Sequence, residues 1–150
     1  MRDTFEMAHN ALRAHGRAVQ MLRQYAKQPL IIGYAPTSGI IYPASDRPED
    51  IEAARQKYFS MPEEDMRLIS EPIDMYGQNI YNGRAFRMGA DGKPEEVDRI
   101  PGYAKTAANW PVTPECLYWG PKFLYERYQK PIYITENGMA CHDKIGRAHV

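Results

Sequence analysis

Short apolar or β-branched runs alternate with helical segments along this chain, and no other feature constrains its fold as strongly. Leu30–Ala35 (LIIGYA) is a continuous apolar run, which predicts a strand buried on both faces. Ile73–Tyr81 (IDMYGQNIY) and Pro131–Thr135 (PIYIT) predict a second and a third strand, because both contain β-branched and aromatic residues. Strands that alternate with helices favour a parallel sheet of βα units, so we expect an α/β fold.

Three helical segments accompany the predicted strands. Apolar side chains recur at spacings of three and four over Phe5–Ala26, which predicts an amphipathic first helix. A second helix fits Pro48–Phe59, where a proline and two acids occupy the first turn. Pro114–Tyr128 predicts a third helix, which Gly120-Pro121 should kink or divide into two short helices. Met88–Glu96 (MGADGKPEE) is typical of a turn-rich loop.

These elements make three consecutive βα units, which is the pattern of an arc cut from a larger barrel. A parallel barrel needs eight such units and typically about 250 residues. The chain has 150 residues, enough for one ordinary core but too few to close a barrel. We therefore expect an incomplete (β/α)₈ barrel.

Charge and hydropathy exclude two classes of partner. Lysine plus arginine and aspartate plus glutamate both total 19, so no basic excess indicates a surface for nucleic acid. No apolar run has the length of a membrane span, and the N-terminus lacks the pattern of a signal peptide. We therefore expect a cytoplasmic protein that has neither nucleic acid nor a membrane as its partner.

The cysteines and histidines do not indicate a metal site. Cys116 and Cys141 are far apart, with no C-x-x-C motif and no histidine pair at ligand spacing. Neither a structural zinc site nor a disulfide framework is therefore expected. His15 lies on the apolar stripe of the first helix, and we interpret it as a buried histidine with a hydrogen-bond partner.

One carboxylate stands at the predicted end of the third strand. Glu136 follows the strand-like residues directly, and Asn137-Gly138 then supplies the positive φ of a sharp turn. Two interpretations are open at this point. Asn-Gly between apolar runs is the strongest short hairpin signal, so ITENGMAC is compatible with a plain turn. In the other interpretation, the strand aims the carboxylate of Glu136 at a substrate.

Further motifs occur in a fixed order and resemble one family. They are AHNALRAHGRAVQMLR, IIGYAPTSGIIYPASDRPEDIEAAR, GQNIYNGR and NWPVTPECLYWGPKFLYERYQKPIYITENG. They resemble motifs of glycoside hydrolase family 1, the β-glucosidase family. The first resembles the helix after barrel strand four, and the second resembles strand five with its following segment. The third resembles the strand-six motif, and the fourth resembles the approach to strand seven. The resemblance covers most of Phe5–Asp143. It implies an incomplete (β/α)₈ TIM barrel, roughly strands 5 to 7 with flanking helices.

The resemblance assigns roles to four residues. Glu136 corresponds to the catalytic nucleophile, and Tyr81 to the tyrosine that hydrogen-bonds it. Asn79 corresponds to the asparagine near the 2-hydroxyl of the sugar, and Trp110 to the platform for the leaving group. The implied partner is a small-molecule carbohydrate, a β-glucoside that is hydrolysed with retention, and no metal or cofactor is implied.

The residue pattern is compatible with these roles. Asn79 and Tyr81 are two positions apart in a strand, so their side chains share a face. They stand near the carboxyl end of their strand, as Glu136 does, and barrel active sites are built at that end. A phenol that donates to Glu136 would orient the carboxylate for attack. Glu115 and Glu126 are interpreted as solvated or capping helix residues without a role in catalysis.

The sequence also departs from the family. The Thr-x-Asn-Glu-Pro motif, which carries the acid/base glutamate, does not occur in it, and neither do the Trp-Ser and Glu-Trp elements near strand eight. Ser60–Pro72 is shorter than the corresponding segment of the family, which indicates an internal deletion. We expect 1–144 to be a partial catalytic domain. The last six residues (IGRAHV) match one reading frame of a sequencing adapter, so 145–150 is expected to be a non-native tail, with a genuine short basic tail as the alternative.

The expected function is that of a fragment of a retaining β-glycosidase, inactive by itself because the acid/base residue is missing. Two alternatives stay open: a noncatalytic carbohydrate-binding remnant and a nonfunctional truncated product. Preference for a glucoside, a galactoside or a 6-phospho-glucoside also stays open, and so does the oligomeric state.

Overall fold

The structure is a computed structural model that describes residues 2–37, 39–59 and 63–142. Within these ranges it contains four helices and six strands. The helices are α1 (Arg2–Tyr25), α2 (Pro48–Tyr58), α3 (Glu63–Ile69) and α4 (Cys116–Tyr128). The strands are β1 (Gly33–Tyr34), β2 (Ile40–Pro43), β3 (Met75–Ile80), β4 (Gly83–Met88), β5 (Pro94–Glu96) and β6 (Ile132–Asn137). The predicted boundary at residue 144 and the predicted tail, 145–150, lie outside the described residues.

The predicted parallel sheet is confirmed. The first sheet has the order β1-β3-β6, and both of its strand pairs are parallel. Helices α2 and α3 lie between β1 and β3 in the chain, and α4 lies between β3 and β6, as parallel crossovers require. Within the described residues, three strands form this sheet and leave both of its edges unpaired, so the arc does not close into a barrel.

The prediction that Leu30–Ala35 is buried on both faces is wrong. Ile32 is 8% exposed, whereas its neighbour Ile31 is 85% exposed, and burial alternates along the segment. His15 of α1 stacks on Tyr34, which covers one face of β1. Burial of the other face needs the packed interior of a closed barrel, and three strands do not enclose one.

A second sheet was not predicted from the sequence. Its order is β2-β4-β5, with β2 parallel to β4 and β4 antiparallel to β5. The segment MGADGKPEE is therefore the turn of a β4–β5 hairpin together with part of both strands, not a loop throughout. Gly83 makes the β2–β4 contact possible: a Cβ there would lie 2.2 Å from the carbonyl oxygen of Ile40 and 2.5 Å from Sγ of Cys116.

Helix α4 is continuous from Cys116 to Tyr128, so the predicted division into two short helices is wrong. Pro121 is the sixth residue of the helix and has no N–H, so the backbone hydrogen bond to the carbonyl of Leu117 is lost. The helix buries Trp119, Phe123 and Leu124 against its neighbours, and this apolar burial offsets the lost bond.

The core lies between the second sheet and helices α2 and α4. Phe123 is fully buried and contacts Trp119 and Tyr58, with ring centroids 5.3 and 6.2 Å away. Ile41 and Phe86 come from the second sheet and complete the cluster with Ala54. None of the described helices is both long and apolar enough to cross a bilayer.

The exposed apolar side chains on both faces of the first sheet should make the chain unstable by itself. Ile31, Tyr133 and Ile134 are 85%, 53% and 47% exposed, and the edge strands β1 and β6 can pair with other chains. We expect poor solubility and a broad, weakly cooperative thermal transition, measured by far-ultraviolet circular dichroism. A sharp, reversible transition from a soluble monomer would contradict this expectation and show a self-sufficient domain.

A buried acid stabilises the start of α2. Asp50 is 1% exposed and accepts hydrogen bonds from Ser45 Oγ at 2.5 Å, the Met88 amide at 3.0 Å and the Arg47 guanidinium at 3.1 Å. These donors, Ser45 first, lower the pKa of Asp50 below its ordinary value of 3.8. The contacts connect α2 to the end of β4.

Acid should weaken this part of the structure. Because the pKa of Asp50 is lower in the folded chain than in the unfolded chain, its contribution to stability is complete above about pH 4 and is lost as the pH falls further. We expect Asp50→Asn to lower stability at pH 6 and to flatten the loss of stability between pH 6 and pH 3. Amide exchange of α2 and β4 measures both effects. Ser45→Ala should give an intermediate slope, and an unchanged slope in Asp50→Asn would contradict the assignment.

Candidate active site

The candidate residues come from neighbouring strands of the first sheet. β6 runs parallel to β3, so the carboxyl ends of the two strands lie at the same edge of the sheet. Within the described residues no strand returns along β6 after Asn137-Gly138, and β3 is its hydrogen-bonded neighbour. The hairpin interpretation of ITENGMAC is therefore wrong, and Glu136 is placed at a strand end.

A β-bulge sits at the candidate nucleophile. Gln78 pairs with Ile134, but the next residue of β3, Asn79, pairs with Glu136, so Thr135 is the extra residue. In a regular strand, Thr135 and Glu136 would face opposite sides of the sheet. The bulge bends β6, so both side chains bond groups at the end of β3.

Tyr81 and Glu136 form the direct contact that the sequence predicts. The phenol of Tyr81, the residue after β3, donates a hydrogen bond to Oε2 of Glu136. This bond is the largest cause of a raised pKa of Tyr81, so the phenol stays protonated and remains a donor at neutral pH. The carboxylate of Glu136 is otherwise exposed.

Asn79 is buried beside this pair, and both ends of its amide are hydrogen-bonded. Its Nδ2 donates to Thr37 Oγ1 at 2.9 Å, and its Oδ1 accepts from Thr135 Oγ1 at 2.6 Å. The amide is thus held between the end of β1 and the bulge of β6. Asn137 adds a bond from its Nδ2 to the Ile80 carbonyl at 2.8 Å, which fixes the end of β6.

Trp110 reaches the site from the loop before α4. Its ring meets the Tyr81 ring edge to face, with centroids 5.6 Å apart, and 47% of the residue is exposed. The loop turns through Asn109, whose φ is 61°, and the Trp110 carbonyl accepts from the Thr106 amide at 2.8 Å. The Ala107 amide donates a hydrogen bond to the carbonyl of Ala140, two residues after Gly138. The indole therefore lies beside the candidate pair and keeps a free surface.

The structure brings together all four residues predicted from the sequence and adds two. Thr37 and Thr135 were not predicted as site residues, because a threonine in a strand is ordinarily a packing residue. The threonine directly before Glu136 in ITENG was the available signal. The bulge itself had no sequence signal, since it depends on how β6 pairs with β3.

The residues without a predicted role stay outside the site. Glu126 pairs with Arg55 at 3.0 Å and with Lys122, which lowers the pKa of Glu126. His15 is half-buried against Tyr34, and burial lowers its pKa. Within the described ranges both cysteines are free, and no group of three or more acidic, histidine or cysteine side chains could hold a metal ion.

The chain was compared with known proteins. Residues 54–150 match the model of "Glycosyl hydrolase family 1". Beta-glucosidase A of Thermotoga maritima is 34% identical over 99% of this chain and 41% of its own length. The 1,4-beta-D-glucan glucohydrolase of Thermotoga neapolitana is 32% identical over 97% of this chain and 42% of its own length. The structure of a beta-glucosidase from Thermotoga maritima in complex with glucoimidazole covers 92% of this chain at a TM-score of 0.61.

The relatives are longer than this chain in two ways. The chain spans about two-fifths of the length of these relatives. The alignment with Beta-glucosidase A also runs over 186 positions, so that protein has internal residues with no counterpart among the 150 here. The matched structures contain the closed barrel of which this sheet is an arc. With a family match over more than half of its residues and these relatives over almost all of them, the chain belongs to glycosyl hydrolase family 1.

Proposed function

We propose that this chain carries the nucleophile side of a retaining β-glycosidase active site, with Glu136 as the nucleophile and a β-glucoside as the substrate. The observation that carries the proposal is the hydrogen bond from Tyr81 to Glu136 at the carboxyl ends of adjacent parallel strands. Barrel enzymes place their catalytic groups at that end. Retaining glycosidases use a carboxylate as the nucleophile, and the Tyr81 phenol orients the carboxylate of Glu136.

In the proposed reaction, a carboxylate oxygen of Glu136 attacks the anomeric carbon of the glucoside. The bond from that carbon to the leaving-group oxygen breaks, and the leaving group takes a proton from a second carboxyl group. Water then attacks the anomeric carbon of this glycosyl ester and gives up a proton to the same second group. The bond from that carbon to the carboxylate oxygen breaks, which releases Glu136. The family motif that carries the second carboxyl group is absent from the 150 residues. We therefore propose that the chain by itself does not hydrolyse a glucoside.

Two further residues orient the substrate in this proposal. Asn79 is held rigidly by Thr37 and Thr135, so its amide lies in a fixed position beside Glu136. We assign it to the 2-hydroxyl of the sugar. Trp110 presents a free indole surface next to Tyr81, which suits the apolar face of a leaving group.

The relatives favour an unphosphorylated glucoside. The proteins named Beta-glucosidase A from Thermotoga maritima and Acetivibrio thermocellus are 34% and 31% identical over 99% and 97% of this chain. Two Bacillus subtilis proteins, "Aryl-phospho-beta-D-glucosidase BglH" and "Aryl-phospho-beta-D-glucosidase BglC", are less similar: they are 28% and 26% identical and cover 76% and 94% of the chain. We therefore place the substrate among β-glucosides and not among their 6-phosphates.

Covalent labelling tests the nucleophile. The completed chain joins these residues to the segments of Beta-glucosidase A from Thermotoga maritima that have no counterpart here. It should react with an activated 2-deoxy-2-fluoro-β-glucoside, and the label should lie on Glu136 in the peptide that contains residues 131–142. The 150-residue chain should not be labelled, because nothing holds the sugar in line for attack.

Two controls make the result decisive. Glu136→Gln in the completed chain should remove the label, whereas Glu49→Gln, at an exposed acid in the first turn of α2, should leave it unchanged. Label on another residue of the completed chain would overturn the assignment of Glu136. Label on the 150-residue chain would overturn its proposed inactivity.

A second candidate function is noncatalytic carbohydrate binding. The exposed Trp110 next to Tyr81 favours it, because aromatic surfaces bind the apolar faces of sugars. Isothermal titration of the 150-residue chain with cellobiose separates the candidates. Saturable binding that Trp110→Ala abolishes would support a binding remnant, and no binding would favour the catalytic fragment.

A further inference from the structure

A cavity of about 240 Å³ lies on the helix-covered side of the first sheet. Tyr34 of β1 and Tyr76 of β3 form its floor, and α1, α4 and the segment after α3 form its walls. Tyr76 and Asn79 are three positions apart in β3, so their side chains point to opposite faces of the sheet. The cavity is therefore separate from the candidate active site.

A row of four rings crosses this cavity from α1 to α4. His15 stacks on Tyr34 with ring centroids 4.3 Å apart, and Tyr34 meets Tyr76 edge to face at 6.4 Å. Tyr76 and Tyr128 are parallel to within 9°, with centroids 5.6 Å apart. That separation lies within the range of offset-stacked aromatic pairs. The lining thus combines parallel ring planes with ring edges, and both kinds of surface favour a flat aromatic partner.

The lining is close to neutral. Burial lowers the pKa of His15 and raises the pKa of Tyr34 and Tyr76, so these three groups are uncharged at neutral pH. The two charged residues of the lining, Glu71 and Lys130, have opposite signs. The carboxylate of Glu71 accepts a hydrogen bond from Gln20 Nε2 at 2.6 Å, so its partner is a residue that does not belong to the ring row. The lining therefore does not favour a charged ligand over a neutral one.

The volume suits a single small ring system. A dry apolar cavity of about 150 Å³ is enough to bind benzene. Helix α3 is only seven residues long, and its Leu68 carbonyl contacts α1 at Gly16.

We propose that this cavity binds a small, neutral, planar aromatic molecule of the phenol or indole class, which lies against the ring row of His15, Tyr34, Tyr76 and Tyr128. The ring edges and faces supply the contact, and the tyrosine hydroxyls supply polar partners for the phenol O–H or indole N–H. The proposal does not depend on the function of Glu136.

Ligand titration of the 150-residue chain tests the site, followed by nuclear magnetic resonance. Phenol should bind saturably with a dissociation constant on the order of 10⁻⁴ to 10⁻³ M. Cyclohexanol, of similar size but not planar, should bind roughly two- to tenfold more weakly, the factor that corresponds to one aromatic pair. Leu12→Trp should fill the cavity and weaken phenol binding at least about tenfold. Leu22→Trp, the same change on an exposed position of α1, should leave it unchanged.

A measurement on the unmodified chain tests the site even if the Leu12→Trp variant does not fold. Nuclear Overhauser contacts from the phenol ring to Leu12 and Tyr76 should appear at saturation. Absence of saturable binding, equal binding of cyclohexanol, or contacts to other residues would each overturn the proposal. A concentration-dependent dimer that excludes phenol would also overturn it, by showing that a second copy covers the cavity.

Discussion

Replacing Glu136 with glycine in the completed chain should lower kcat for an aryl β-glucoside by roughly 10⁴-fold or more, the scale seen when a catalytic nucleophile is removed. The reason is the loss of the only group proposed to form the bond to the anomeric carbon. In this structure the Glu136 side chain is exposed and bonds Tyr81, so the packed core does not depend on it. Steady-state kinetics with a good leaving group measures the effect.

Azide separates a missing nucleophile from a damaged fold. In Glu136→Gly the small anion can enter the space left by the carboxylate and attack the same carbon from the same side. Turnover should return, and the product should be the α-glucosyl azide, with inverted configuration. Glu49→Gly is the matched control and should keep normal turnover with a retained product. Failure of azide to restore activity in a folded Glu136→Gly variant would reject the assignment.

Replacing Phe123 with alanine should be the most damaging change in the core. The ring is fully buried between Trp119 and Tyr58, and the Arg55 guanidinium lies over it at 5.3 Å. Truncation of such a ring costs roughly 3–5 kcal/mol, since it removes buried surface and leaves a cavity. Native-state amide exchange in β2 and β4 measures the loss without requiring a cooperative global transition.

Tyr125→Ala is the matched control on the same helix. Tyr125 is 54% exposed, so its truncation should change the free energy of local opening by no more than about 0.5 kcal/mol. Equal losses in Phe123→Ala and Tyr125→Ala would show that the core does not lie where the structure places it. A selective loss in Phe123→Ala would support the packing of α4 against the second sheet.

Local patterns predicted the elements with the strongest signals. The apolar stripe of the first helix, the proline and acids that begin α2, and the β-branched run before Glu136 all correspond to observed elements. The second sheet was missed because β2 and β5 are four and three residues long and depend on β4 for their hydrogen bonds. Burial of Ile31 was predicted wrongly because a local apolar run does not specify whether a second layer covers it.

The sequence by itself determined the order of the parallel βα units, the family, and which carboxylate and phenol stand at strand ends. These features depend on residue types and spacings that are local in the chain. The tertiary structure decided how Glu136 reaches Tyr81, because the bulge at Thr135 arises from the pairing of β6 with β3. It also decided how Asn79 is held, since Thr37 and Thr135 are 42 and 56 positions away from it in the chain. Contacts over such separations depend on packing and strand register, which no local pattern encodes.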